Sequence, residues 1–160
     1  MSAIGAQLDR WEAVEGTYSR PHAQFGLGDC YMHEDGSWWV YCEANGAITG
    51  DGYVVEVDSQ YQATQMTTAA SSFGNRVGVC HSDQAVADNE RGWVQVYGTS
   101  SIRTSAAAAA NAQLRATATS GAVDDAASGR QIRGIILGTA AAGAELAPDA
   151  FLNWPELTTT

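Results

Sequence analysis

Asp35-Gly36, Asn45-Gly46 and Asp51-Gly52 punctuate the stretch from Phe25 to Val57 and divide it into three short apolar runs, Gly28 to His33, Ser37 to Glu43 and Tyr53 to Val57. Asn-Gly and Asp-Gly tolerate the positive φ angles of a tight primed turn, whose twist matches that of paired strands. The spacing predicts an antiparallel meander. Its side chains (Tyr31, Trp38, Trp39, Val40, Tyr41, Tyr53, Val54, Val55, Val57) suit a pleated, half-buried surface better than a helix. Further along, Ser59 to Thr68 reads as an edge or weakly buried strand. Arg76 to His81 and Trp93 to Tyr97 are stronger, the latter alternating Trp93, Gln95 and Tyr97 against Val94 and Val96. Leu114 to Thr119 and Gln131 to Leu137 complete the set, with Gly134 inside the last marking a bulge or a close backbone approach. Turn signals recurring at this interval predict an all-β fold, a compact antiparallel barrel or sandwich with little helix.

The Ala106 to Ala110 run has helical propensity, but it offers only methyl groups to bury, so a connecting loop with at most one helical turn is expected. Ala140 to Ala147 is expected to be loop. Pro148 to Pro155 then brings Phe151, Leu152 and Trp154 back to pack. The chain divides into an N-terminal arm (1–24), a β domain (25–157) and a tail expected to fray (158–160). In the arm, Ile4, Leu8, Trp11 and Val14 fall three or four residues apart, the stripe of a short amphipathic helix that needs a surface to cover it. These four are the candidate partner-binding residues, expected to pack on another subunit.

A chain of 160 residues suits one domain. The net charge is −10 and all eight basic residues are arginine, which leaves little with which to neutralise phosphates and argues against nucleic acid as a partner. No apolar run approaches the roughly 20 residues needed to span a bilayer, and the first sixteen residues carry acids where a signal peptide has a basic end. The expected place of synthesis is the cytoplasm. Cys30, Cys42 and Cys80 lack zinc-site spacing and read as free, buried thiols.

No local cluster points to catalysis. Cys80-His81 puts a nucleophile beside a base, but neighbours on a strand point to opposite faces. His22, His33 and His81 have no metal-ligand spacing. Asp83, Asp88, Asn89 and Glu90 lack the pattern of a calcium loop. Glu43 and Glu56 are conceivable as paired carboxylates, though nothing singles them out. Gly26-Leu27-Gly28 is a turn, not a dinucleotide fingerprint. The expectation is a protein with no enzymatic activity, no cofactor and no metal.

The order FGLGDCYMHEDGSWWVYCEANGAITGDGYVVEVD, VGVCHSDQAVADNERGWVQVYG, NAQLRATATSGAVDDAA and IRGIILGTAAAG resembles the small β-rich decoration and head-stabilising proteins of tailed bacteriophages, over Phe25 to Pro155. The resemblance implies a compact β fold, often a homotrimer, placed on the capsid surface of the virion, where it bridges major capsid protein subunits. It implies no catalytic residues. Two alternatives remain, a carbohydrate-binding or fibre-type module that uses exposed aromatics, and a small hydrolase, which would need a reactive cysteine or serine. A far-UV circular dichroism spectrum should be dominated by β-structure, and a helix-dominated spectrum would overturn the fold expectation.

Overall fold

The computed structural model describes residues 8, 11–13, 25–68 and 75–158. The strands, in chain order, are β1 (Glu12–Ala13), β2 (Cys30–Met32), β3 (Trp38–Ala44), β4 (Tyr53–Val57), β5 (Gln62–Gln65), β6 (Arg76–Cys80), β7 (Glu90–Arg103), β8 (Arg115–Ala116), β9 (Val123–Asp124), β10 (Ile132–Leu137) and β11 (Leu146–Leu157). The fold is all-β, and no helix occurs among the described residues.

Five strands close on themselves. β7 pairs antiparallel with β3, β3 pairs parallel with β5, and β5–β4, β4–β6 and β6–β7 are antiparallel. Closure removes the exposed edges an open sheet would present. Alternation along each strand then sends Val40, Cys42, Ala44, Val55, Val57, Ala63, Cys80, Val94 and Val96 into one buried cluster. Trp39, Tyr41 and Trp93 emerge on the opposite side, where Phe25, Leu27 and Tyr31 cover them.

A second layer leans on the barrel wall. The far half of β7 continues past the ring to pair with β11, and β10 pairs with β11. Between this layer and the wall lies the largest core, including Val54, Val77, Val79, Ile102, Leu114, Ile132, Leu137, Leu152 and Leu157. Each fully buried aliphatic side chain of this kind contributes about 1.5–3 kcal/mol. The connection from Thr104 to Glu145 closes the core through isolated bridges, Thr104 to Val123, Ala108 to Ala141 and Arg115 to Gln131. The alanine-rich stretches expected as loops thus meet one another, because methyl side chains let two backbones approach closely.

Several expectations are corrected. β2 and β3 form the hairpin expected at Asp35-Gly36, but β3 and β4 do not pair. The chain between them crosses the barrel end, where Ile48 bridges Val86, and β5 inserts between the two strands. β5 is therefore internal, with Ala63 buried, and is not an edge strand. β11 is twelve residues long, where only a returning segment was expected. Its pattern is broken by prolines and by positive φ at Asp149 and Trp154. The bulge at Gly134 is present: φ is +81° and the β10–β11 register shifts between Arg133 and Ile135.

The N-terminal segment also departs from expectation. Glu12 and Ala13 pair with Arg91 and Glu90 of β7, so this part of the stripe is extended and the sheet begins before Phe25. Trp11 packs with the barrel-interior cluster and is 7% exposed. Gly92 makes room for it, since a Cβ there would lie 2.6 Å from the indole ring. Trp11→Ala should therefore cost about 3–5 kcal/mol in denaturant unfolding, as expected for removing a buried aromatic. Gly92→Ala should also destabilise by displacing the same ring. An unchanged midpoint for Trp11→Ala would show that Trp11 does not belong to the core.

Candidate functional site

Of the four residues expected to bind a partner, Leu8 is half-buried against the Trp39–Tyr41–Trp93 cluster and Trp11 is buried in the barrel. Their own chain covers both, so neither projects as an arm. Ile4 and Val14 lie outside the described residues.

The exposed apolar surface lies elsewhere. Met32, Ile136, Phe151 and Trp154 are large hydrophobic side chains left 57%, 47%, 42% and 47% exposed. Strand register joins them. Met32 sits opposite Trp38, Trp38 opposite Tyr97, and Ile136 opposite Phe151, and opposed residues in an antiparallel pair share a face. Ring contacts close the remaining gaps, Trp38 to Trp154 at 5.9 Å and Tyr97 to Phe151 at 5.5 Å. An aromatic strip thus runs across β2, β3, β7, β11 and β10. Trp154 holds φ at +46°, a conformation that costs about 1–3 kcal/mol and persists only where surrounding structure enforces it.

Beside the strip, a cavity of about 310 Å³ is lined by Asp35, Ser37, Trp39, His81, Gln95, Thr99, Ser100, Ser101 and Asp149. His81 follows the last residue of β6, and strand alternation turns its ring outward while Cys80 points into the barrel. A hydrogen bond from the Gly52 N–H to the Cys80 carbonyl holds the neighbouring Asp51 turn against the end of β6. Asp51 Oδ1 then lies 2.8 Å from His81 Nδ1, and Ser100 Oγ of β7 lies 2.9 Å from His81 Nε2. The Trp39 ring meets the imidazole edge-on at 5.5 Å. At the cavity margin, Asp35 accepts hydrogen bonds from the Ser37 hydroxyl and N–H, which hold its carboxyl below the usual carboxylate range. The fold brings together a carboxylate, an imidazole and a hydroxyl that lie far apart in the chain. Asp51, His81 and Ser100 sit on three different elements, and no local motif announces them.

The other candidates hold structural partners. Cys80 is 0% exposed and points into the barrel-interior cluster, away from the cavity, so no solvent-borne substrate reaches its sulfur. Asp88 accepts the N–H of the distant Gly46 turn and Glu90 accepts the nearby Ala87 N–H, so both carboxylates hold backbone. Glu43 pairs with Arg91 at 2.7 Å, and Glu56 accepts from Asn75. His33 lies 3.1 Å from Asp35 at the hairpin tip, and His22 is outside the described residues. Cys30 lies opposite Val40, not Cys42, and is exposed, contrary to the buried thiol expected.

The thiols make a direct prediction. Burial pushes the Cys80 thiol up to about 12 and raises Cys42 as well. A thiol-specific reagent should modify Cys30 in the native protein and all three cysteines after denaturation. Because the folded thiols bind protons more tightly than an unfolded cysteine, of pKa about 8.5, their contribution to stability is complete below that pH. It should be lost as pH rises toward 12. Rapid native labelling of all three would contradict the buried placement.

Comparison with protein-family models, with curated proteins and with solved structures returns no match, so the functional reading stands on this geometry and on the sequence resemblance.

Proposed function

We propose that the chain is a structural protein of a tailed-phage head that decorates the assembled capsid and stabilises it by bridging major capsid protein subunits. The observation that carries this reading is the aromatic strip. Large apolar side chains gathered in one exposed strip mark an interaction site, whereas the same side chains scattered singly would not. Aromatic anchors on a rigid wall are the side chains that dominate protein interfaces, since they cover large area with little conformational freedom to lose.

Charge argues for the kind of partner. With a net charge of −10, the chain is drawn to a partner surface rich in arginine and lysine. The resemblance adds the expectation of a homotrimer on the virion surface. Protein that binds only the assembled shell stabilises it by mass action, about 2.7 kcal/mol per site at roughly a hundred times the dissociation constant. Many sites on one particle multiply the effect.

The half-exposed Trp154 also suits the alternative of a carbohydrate-binding module on the virion surface. Sugar platforms pair an exposed ring with hydrogen-bonding groups; Arg76 and Glu156 lie beside Trp154, but Met32, Ile136 and Phe151 extend the strip as apolar surface. A buried protein contact fits those side chains better.

Heating undecorated shells with and without the purified protein tests the reading. Saturating protein should raise the disruption temperature, and added salt should weaken attachment through its charged rim. Phe151→Ser with Trp154→Ser should reduce attachment by about thirtyfold or more, the loss expected of an interface hot spot. Both side chains are only about half buried, so the variant should stay folded, as its circular dichroism spectrum checks. Equal disruption temperatures at confirmed saturation would overturn the proposal.

A further inference from the structure

We propose that Asp51, His81 and Ser100 form a hydrolytic site for short-chain carboxylic esters of neutral, hydroxylated alcohols. The atom order carries the inference. Asp51 engages Nδ1 of the imidazole at 2.8 Å and Ser100 Oγ engages Nε2 at 2.9 Å. With the ring proton on Nδ1 donated to the carboxylate, Nε2 is left as the acceptor for the serine hydroxyl proton, which is the arrangement acyl transfer requires. A histidine recruited only to tie loops together needs neither this polarity nor an adjoining space. Here His81 and Ser100 line a cavity of about 310 Å³, and Asp51 holds the imidazole from its other nitrogen.

The same cavity sets the substrate class. Its volume lies at the small end of ligand sites, which favours a short acyl group. Asp35 and Asp149 on its lining repel anionic substrates, and their carboxylates accept hydrogen bonds from the hydroxyls of a neutral alcohol. Ser100 is 6% exposed, so only small electrophiles reach it.

The reaction balances without a cofactor. Ser100 Oγ attacks the ester carbonyl carbon as its proton passes to His81 Nε2. The tetrahedral adduct collapses, the bond to the alcohol oxygen breaks, and His81 returns the proton to the departing alkoxide. Water then attacks the acyl-Ser100 ester with His81 taking its proton, and collapse releases the carboxylic acid as Oγ recovers a proton. One water is consumed per ester. Asp51 acts as a positioning residue that fixes the tautomer of His81.

A small fluorophosphonate probe on the intact protein, with para-nitrophenyl acetate as reporter substrate, tests the proposal independently of any capsid role. The expected result is a phosphonyl adduct on the peptide carrying Ser100, abolished by Ser100→Ala and slowed by at least about a hundredfold in His81→Ala. Asp51→Asn should lower kcat by at least about tenfold with KM retained, a split that a purely structural role would not produce. Should His81→Ala fail to fold, labelling of the native protein decides alone. An unlabelled Ser100, or hydrolysis by Ser100→Ala at the native rate, overturns the proposal.

Discussion

Strand β7 is the element on which the rest of the molecule depends. Its first half closes the ring by pairing with β3 on one edge and β6 on the other, and its second half carries β11 and, through it, β10. Without β7 the ring opens into a sheet with two exposed edges, and the outer layer loses its attachment along Tyr97 to Arg103. The strand also separates the cores. Val94 and Val96 face the barrel interior, Trp93 supports the outer aromatic cluster, and Ile102 enters the core beneath β11. Tyr97 and Ser100 on the same strand belong respectively to the aromatic strip and to the His81 cavity. A single strand therefore carries stability and both candidate surfaces.

Local chemistry was readable where a strand and its turn lie next to each other in the chain. β2, β3, β4, β6 and β10 fall where apolar alternation and Gly-containing turns placed them, and the bulge follows from Gly134 inside a strand pattern. Pairing was not readable in the same way. The parallel contact of Glu43 and Ala44 with Gln62 and Ala63 depends on β5 being drawn between β3 and β4, which no dipeptide encodes. β11 escaped because Pro148, Asp149, Trp154 and Pro155 interrupt the alternation, and tertiary pairing with β7 and β10 overrides those breaks. The stripe at Leu8 and Trp11 did mark residues that need covering. Periodicity alone could not say that the cover is the chain's own barrel.

The candidate sites divide on the same principle. An exposed aromatic in a strand pattern is ambiguous from sequence, because Trp39 and Trp38 are adjacent and only one of them joins the outer aromatic cluster. Register decides which rings assemble into a strip. The Asp51–His81–Ser100 contact is more remote still, spanning separations of 30 and 19 residues on a turn, a strand end and a strand. Strand alternation did correctly separate Cys80 from His81, and it left open what His81 would meet on its own side. The strip and the cavity adjoin, since Thr99 on the cavity wall pairs with Phe151 on the strip.

The central claim is that this wall, built from β3, β7, β11 and β10, is the face that meets a capsid. A reconstruction of intact particles by electron cryo-microscopy tests it most directly. The account predicts density matching this barrel on the outer surface of the shell, spanning joints between capsid subunits, with Phe151 and Trp154 turned toward the shell. Particles lacking such density, or a barrel seated with that wall facing solvent, would contradict it.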